Sequence, residues 1–122
     1  KIYTRLAKYK NIKLLRPLDY PYLVYLMKNA KLILTDSGGI QEEAPSFGCP
    51  TLVMRYETER QEGIDAGVSI LVGADYEKIV SHSEKILSKS LDETRLTALN
   101  PYGDGTSSKK IESIIEQYYS NK

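Results

Sequence analysis

Four short apolar runs recur along the chain, at residues 12–15, 32–35, 51–54 and 69–72. Each run is short enough to be a buried strand. Successive runs begin about twenty residues apart, which leaves room for a turn and a crossover helix after each strand. The pattern therefore predicts an α/β fold in which a doubly wound parallel sheet is flanked by helices.

The segments between and after the runs carry apolar side chains at helical spacing. Asp19 is suited to cap a helix that extends to about Ala30, and Asp75 is suited to cap another. A third helix is expected near the end of the chain, with four apolar side chains on a face that we expect to be buried: Ile111, Ile114, Ile115 and Tyr118. The opening residues resemble the tail of a helix, so we expect the chain to be a piece excised from a longer protein.

Composition and charge argue against several classes of protein. The chain has 122 residues, of which 41% are hydrophobic and 27% charged, as expected for one globular domain spanning residues 1–122. Its 17 basic and 16 acidic side chains are mixed along the sequence, so we expect no nucleic-acid partner. No apolar run approaches the length of a membrane span. With one cysteine, Cys49, and one histidine, His82, we expect a reducing cytoplasm, no disulfide and no metal site.

The sequence from Thr35 to Gly48 contains the strongest candidate for a binding site. An Asp-Ser-Gly-Gly turn follows the second run and leads into a helix that Pro45 must kink or shorten. Such a turn is expected to leave backbone N–H groups unpaired, from Ser37 onward, at the positive end of a helix dipole, where a phosphate is held well. The Ser37 hydroxyl either donates to that anion or only caps the helix.

Glu43 and two arginines extend this candidate site. Glu43 follows Gly39 by four residues, so both lie on one helix face about 6 Å apart along the axis. A nucleotide fits this spacing, with its diphosphate at the helix start and its ribose hydroxyls near the carboxylate. Arg55 and Arg60 follow the third run, at the carboxyl edge of the sheet where ligands of α/β folds collect. Either arginine can neutralise a diphosphate, or both can pair with neighbouring glutamates.

Three motifs together resemble a known family. In the order and approximate spacing of the non-hydrolysing UDP-N-acetylglucosamine 2-epimerases, the chain contains TDSGGIQEEAPSFGCPTLVMR, TERQEGIDAG and NPYGDG. The resemblance implies that the chain is the C-terminal, UDP-binding domain, with a Rossmann-like parallel sheet flanked by helices, of a two-domain enzyme with the glycosyltransferase-B (GT-B) fold. That enzyme interconverts UDP-N-acetylglucosamine (UDP-GlcNAc) and UDP-N-acetylmannosamine (UDP-ManNAc) by eliminating UDP and adding it back, without a cofactor or a metal.

The resemblance also assigns roles to individual residues. Ser37, Gly38 and Gly39 would hold the diphosphate of UDP or UDP-GlcNAc. Glu43 would bind the ribose hydroxyls, and Arg60 would neutralise the phosphate charge. The acid and base groups of the family belong to the missing N-terminal domain, so we expect no catalytic residue in this chain and no activity from it alone. The parent enzyme is expected to be a cytoplasmic homodimer that serves polysaccharide biosynthesis.

Two positions near the expected uracil depart from the usual pattern of the family. Leu23 stands where many relatives have a phenylalanine, and Leu18 stands where some have a glutamine. Stacking on uracil is therefore open, with Tyr20 and Tyr22 as the residues that would compensate.

Three other functions remain open at this stage. A hydrolysing epimerase shares the fold and releases free N-acetylmannosamine and UDP, although residues 59–63 favour the non-hydrolysing branch. A glycosyltransferase would also bind a nucleotide sugar here, but it needs an acceptor site for which the sequence shows no sign. A stand-alone UDP-sugar-binding module is supported only by the shortness of the chain.

Overall fold

A parallel sheet of three strands forms the centre of the computed structural model, which describes residues 1–94 and 100–120. The strands are β1 (Ile33–Thr35), β2 (Thr51–Val53) and β3 (Ser69–Leu71), arranged in the order β1-β2-β3. The register aligns Thr35 with Val53 and Val53 with Leu71, so all three carboxyl ends meet at one edge. The predicted α/β fold with a parallel sheet is confirmed, while the predicted domain 1–122 includes residues 95–99 and 121–122 outside the described ranges.

Seven α-helices accompany the strands in the described residues: α1 (Ile2–Leu6), α2 (Tyr20–Asn29), α3 (Gly38–Glu43), α4 (Gln61–Asp65), α5 (Tyr76–Leu87), α6 (Leu91–Thr94) and α7 (Ser107–Ser120). The carboxylate of Asp75 caps α5 as predicted, because its Oδ1 accepts the N–H of Lys78 at 3.0 Å. A 3₁₀ turn (Ala44–Phe47) follows α3 and ends at Gly48, whose left-handed backbone (φ 62°) needs a residue without a side chain. None of the described helices is both long and apolar enough to cross a membrane.

The core lies around β2, the central strand. Leu52 and Val53 are fully buried, because β2 has a neighbouring strand on each side and chain packed on both faces. Cys49, just before β2, is also fully buried, and its thiol lies 3.4 Å from the Ala30 carbonyl oxygen. This position agrees with a packing role for the cysteine.

One predicted strand is wrong. Residues 12–15 were expected to add a fourth strand to the sheet, but they form neither strand nor helix. Within the described residues β1 pairs only with β2, and Leu15 remains 61% exposed. An apolar run becomes a strand only when its N–H and C=O groups enter a ladder with a neighbour, and here that pairing is not made.

The terminal helix α7 forms as predicted, but the expectation that its apolar face is buried is wrong for this chain. Its apolar residues are all at least half exposed: Ile111, Ile114, Ile115 and Tyr118. Helical periodicity depends only on the local sequence, whereas burial needs a second surface. The described part of the chain does not cover this face.

Candidate functional site

The turn between β1 and α3 lies at the carboxyl edge of the sheet. β1 ends at Thr35, and α3 begins at Gly38 with Ser37 as its N-cap. The Ser37 N–H donates to the buried Thr35 hydroxyl at 3.0 Å. The expectation that the Ser37 amide is free to bind an anion is therefore wrong. The Ser37 hydroxyl makes no capping bond to α3 and faces solvent. The row of amides available to an anion therefore begins at Gly38, and the hydroxyl of Ser37 is left as an additional donor.

An open surface lies over Gly39, between a hydroxyl and a carboxylate. A Cβ placed on Gly39 would have Ser37 Oγ and Glu43 Oε1 as neighbours, each at 3.9 Å. These are ordinary van der Waals contacts, so the missing side chain leaves a shallow, uncrowded patch. The structure thus brings Glu43 beside Gly39, as the four-residue spacing predicted, and also places the Ser37 hydroxyl near the same surface.

Glu43 is held by a tyrosine from another helix. The Tyr20 hydroxyl, at the start of α2, donates to Glu43 Oε2 at 2.7 Å. This hydrogen bond raises the pKa of Tyr20 above its usual value, and burial and the negative charge of Glu43 add to the rise. One carboxylate oxygen is thereby occupied, while Oε1 faces the open surface over Gly39. Sequence reasoning considered Tyr20 only as a partner for uracil, because a contact across 23 residues leaves no local signal.

The side chain of Arg60 extends over the first residue of α3. A Cβ placed on Gly38 would lie 3.0 Å from Arg60 Cζ and 3.1 Å from Nη2. Arg60 Nε donates to Glu42 Oε1 at 2.8 Å, and Nη1 donates to Glu59 Oε2 at 3.1 Å. The hydrogen bond to Glu42 is the main cause of a raised pKa for Arg60, whose guanidinium is charged at neutral pH in any case. A positive charge is therefore fixed beside the amides of the turn.

Arg55 does not reach the turn through any contact described for it. Its Nη1 donates to Glu59 Oε2 at 3.3 Å, so Arg55 and Arg60 share one carboxylate oxygen. The expectation that these arginines pair with neighbouring glutamates is confirmed for both. Of the two arginines, Arg60 also lies against the glycine turn. The structure therefore distinguishes two candidate phosphate-binding residues that sequence position alone could not tell apart.

The third motif, NPYGDG, reaches the same loop through Tyr102. The Tyr102 hydroxyl donates to the carbonyl oxygen of Arg60 at 3.3 Å. Gly63, buried in α4, makes room for this contact, because a Cβ there would come within 2.5 Å of the Tyr102 hydroxyl oxygen. Burial is the main cause of a raised pKa for Tyr102. The three motifs recognised in the sequence therefore converge, with Tyr102 holding Arg60 and Arg60 lying over Gly38.

A family model described as UDP-N-acetylglucosamine 2-epimerase matches residues 1–116. The chain belongs to this family. The membership confirms the resemblance carried by the three motifs.

Named relatives and solved structures agree with this membership. The chain is 50% identical over 109 residues to the UDP-N-acetylglucosamine 2-epimerase of Yersinia pestis, an alignment that covers 88% of this chain and 29% of that protein. The structure of UDP-GlcNAc 2-epimerase from Neisseria meningitidis bound to UDP-GlcNAc matches 95% of this chain and 32% of its own, with a TM-score of 0.83 and 39% identity. A Methanocaldococcus jannaschii UDP-GlcNAc 2-epimerase in complex with UDP-GlcNAc and UDP matches 95% of this chain and 31% of its own, with a TM-score of 0.78 and 39% identity. The chain therefore spans about a third of the length of these relatives.

Proposed function

We propose that this chain supplies the UDP-binding surface of a UDP-GlcNAc 2-epimerase, an enzyme that interconverts UDP-GlcNAc and UDP-ManNAc. The observation that carries the proposal is the likeness, at 39% identity over nearly the whole chain, to a solved relative bound to UDP-GlcNAc. The gathering of a hydroxyl, free amides, a carboxylate and an arginine around one glycine turn supports it.

In this proposal the diphosphate and the ribose of the nucleotide each have their own contacts. The diphosphate is held by the amides of Gly38 and Gly39, with the hydroxyl of Ser37 as a further donor. The ribose lies over Gly39, where no side chain obstructs it, and its hydroxyls donate to Glu43 Oε1. Arg60, already beside Gly38, balances the phosphate charge.

The chemical role of these contacts is to stabilise a leaving group. Elimination breaks the anomeric C–O bond, whose electron pair departs with UDP, while C2 of the sugar loses a proton to a base and a 2-acetamidoglucal remains. Re-addition of UDP and return of a proton to the other face of C2 give the epimer. Negative charge on UDP grows as the bond breaks, so donors fixed in advance favour that state over the intact substrate.

The proposal gives this chain no acid or base of its own. Those groups would come from the other two thirds of the protein, which we place in a preceding domain of a GT-B fold. The parent enzyme is proposed to be a cytoplasmic homodimer, as the resemblance to the family implies. On this basis the 122-residue chain should bind UDP weakly and turn over no UDP-GlcNAc.

Titration of the ¹⁵N-labelled chain with UDP tests the proposal. We expect shifts in the amide signals of Gly38, Gly39 and Ile40 at millimolar UDP. The matched variants are Arg60→Gln and Arg55→Gln, which each remove one guanidinium from the shared carboxylate of Glu59. Binding should weaken in the first and persist in the second. Unshifted signals at millimolar UDP, or shifts confined to distant residues, would overturn the proposal.

A further inference from the structure

A buried amide connects the start of α3 with the loop that precedes α4. Gln41 is only 1% exposed, although its side chain has two donors and an acceptor to satisfy. Its Nε2 donates to the Ser37 carbonyl oxygen at 3.3 Å, and its Oε1 accepts from the Thr58 hydroxyl at 2.7 Å. Since a buried polar group without partners destabilises a fold, these two bonds hold the amide in place.

Thr58 extends this connection to Arg60. The Thr58 hydroxyl oxygen accepts the backbone N–H of Arg60 at 3.2 Å. Its single proton is then free to go to Gln41, which requires that the oxygen of the amide, not the nitrogen, faces Thr58. The nitrogen is left to face the Ser37 carbonyl, which can only accept. Each hydrogen bond that links Arg60 through Thr58 and Gln41 to Ser37 therefore has one assignment of donor and acceptor.

The loop carrying Arg60 depends on such bonds because it has no regular structure of its own. Residues 54–60 belong to neither helix nor strand. The N–H of Arg60 donates to Thr58 Oγ1, and the carbonyl oxygen of Arg60 accepts from the Tyr102 hydroxyl and from the backbone N–H of Gly63. From that fixed backbone the Arg60 side chain reaches Gly38. Thr58 thus fixes the backbone from which the Arg60 side chain extends, and Gln41 fixes the position of Thr58 relative to the glycine turn.

We infer that Gln41 and Thr58 are positioning residues that align Arg60 with the glycine turn so that both bind the same diphosphate. The inference rests on the proposed function and deepens it. It assigns Gln41 and Thr58 to recognition of the second phosphate and not to recognition of the nucleoside. Neither side chain touches the ligand in this scheme. They act by keeping the guanidinium and the amides of Gly38 and Gly39 in register.

A simpler interpretation is that Gln41 and Thr58 only satisfy each other in the interior. The two interpretations predict different losses of ligand affinity when the hydrogen bonds of Gln41 and Thr58 are removed. A structural role alone predicts lower stability and equally weaker binding of UDP, UMP and uridine. A positioning role predicts a loss concentrated on UDP, because UDP carries the diphosphate that Arg60 would balance.

The experiment compares Thr58→Val, which removes the hydroxyl at nearly constant volume, with Thr58→Ser, which restores it. The control is Thr51→Val, since Thr51 is also 1% exposed and its hydroxyl donates to the Cys49 carbonyl oxygen, outside the turn. Affinities of the 122-residue chain for UDP and UMP are measured, with the Arg60 Nε–H signal recorded in the ligand-free protein. We expect the UDP-to-UMP preference to fall about tenfold in Thr58→Val, to recover in Thr58→Ser and to be unchanged in Thr51→Val.

The ligand-free signal separates the two possible failures. If Thr58 positions Arg60, the Nε–H signal moves toward that of a solvated arginine in Thr58→Val, whether or not the wild type binds UDP. If the wild type binds no UDP, the proposed function is overturned, and so is the inference that Gln41 and Thr58 position Arg60 for binding. If the UDP-to-UMP preference and the Arg60 Nε–H signal are both unchanged in Thr58→Val, the positioning role alone is overturned. If Thr58→Val does not fold, Thr58→Ala is measured in its place by the same two criteria.

Discussion

The guanidinium of Arg60 lies so close to Gly38 that a methyl group on the glycine would be 3.0 Å from Cζ and 3.3 Å from Nε. Arg60 comes from the loop after β2, and Gly38 is the first residue of α3. The contact therefore joins two separate segments of the carboxyl edge, and a side chain at residue 38 would require the guanidinium to shift.

Gly38→Ala should displace Arg60 and weaken diphosphate binding. The added methyl meets the far end of a long side chain, which can move by a few tenths of an ångström, so we expect less than about 1 kcal/mol change in the free energy of unfolding. That shift, however, moves the guanidinium away from its present position beside the amides of the turn. UDP affinity should fall while UMP affinity changes less, as measured by calorimetry. Equal losses for both ligands would contradict a contact specific to the second phosphate.

Gly39→Ala should separate stability from binding. Its methyl would make only ordinary contacts, and alanine favours a helix over glycine by about 0.5–1 kcal/mol. We expect a small rise in the midpoint of urea unfolding. UDP binding should nevertheless fall sharply, because the methyl occupies the surface on which the ribose is proposed to lie. A variant that is more stable and binds UDP as well as the wild type would show that the nucleotide lies elsewhere.

The parts of this site that could be predicted from the sequence are those fixed by local spacing. The turn from Ser37 to Gly39, the following helix and the alignment of Glu43 depend on residues at most six positions apart. The run at residues 51–54 and that at residues 69–72 became strands because the connecting segments were long enough for parallel pairing. Each of these features is decided by the chain close to it.

The parts that could not be predicted depend on contacts between distant segments. The bond from Tyr20 to Glu43 spans 23 residues, and that from Tyr102 to Arg60 spans 42. The loss of the Ser37 amide to the Thr35 hydroxyl is local, but it competes with anion binding in a way that composition does not reveal. The apolar face of α7 shows the same limit, since periodicity specifies the face and not the surface that would cover it.

Glu59→Gln should strengthen UDP binding. Glu59 accepts from both Arg55 and Arg60, so its charge competes with phosphate for the guanidinium of Arg60. The Glu59 side chain is 73% exposed, which limits the competition to a screened surface interaction. We therefore expect a gain of about two- to threefold in affinity at low salt that shrinks as ionic strength rises. Glu57→Gln removes the same charge from a neighbouring exposed position and serves as the control. An equal gain in both variants would point to net charge rather than release of Arg60.

Tyr20 should titrate above the usual range for a tyrosine. Its pKa is raised chiefly by the hydrogen bond to Glu43, so the stabilising bond is fully present below pH 10 and is lost as pH rises through the raised pKa. NMR of ¹³Cζ-labelled tyrosine follows this ionisation directly. In Glu43→Gln the amide carries no charge, and the Tyr20 midpoint should move down toward the ordinary value. A midpoint that is the same in both proteins would mean that the bond does not hold Glu43 in solution.

Gly63→Ala should destabilise the wild type and should lose that effect when Tyr102 loses its hydroxyl. In the wild type the new methyl would lie 2.5 Å from the Tyr102 hydroxyl oxygen. The ring must then move and give up its bond to the Arg60 carbonyl, which we expect to cost about 1–3 kcal/mol in the free energy of unfolding. In Tyr102→Phe the nearest ring carbon is at the position of Cζ, 3.5 Å from the methyl, which is an ordinary contact.

The remaining effect of Gly63→Ala in that background is the helix preference of alanine, so it should be neutral or stabilising by up to about 1 kcal/mol. Urea unfolding of the wild type, both single variants and the double variant measures this coupling as a double-mutant cycle. Additive effects would show that Gly63 and Tyr102 are not packed against each other. The link from the NPYGDG motif to Arg60, on which the convergence of the three motifs depends, would then be lost as well.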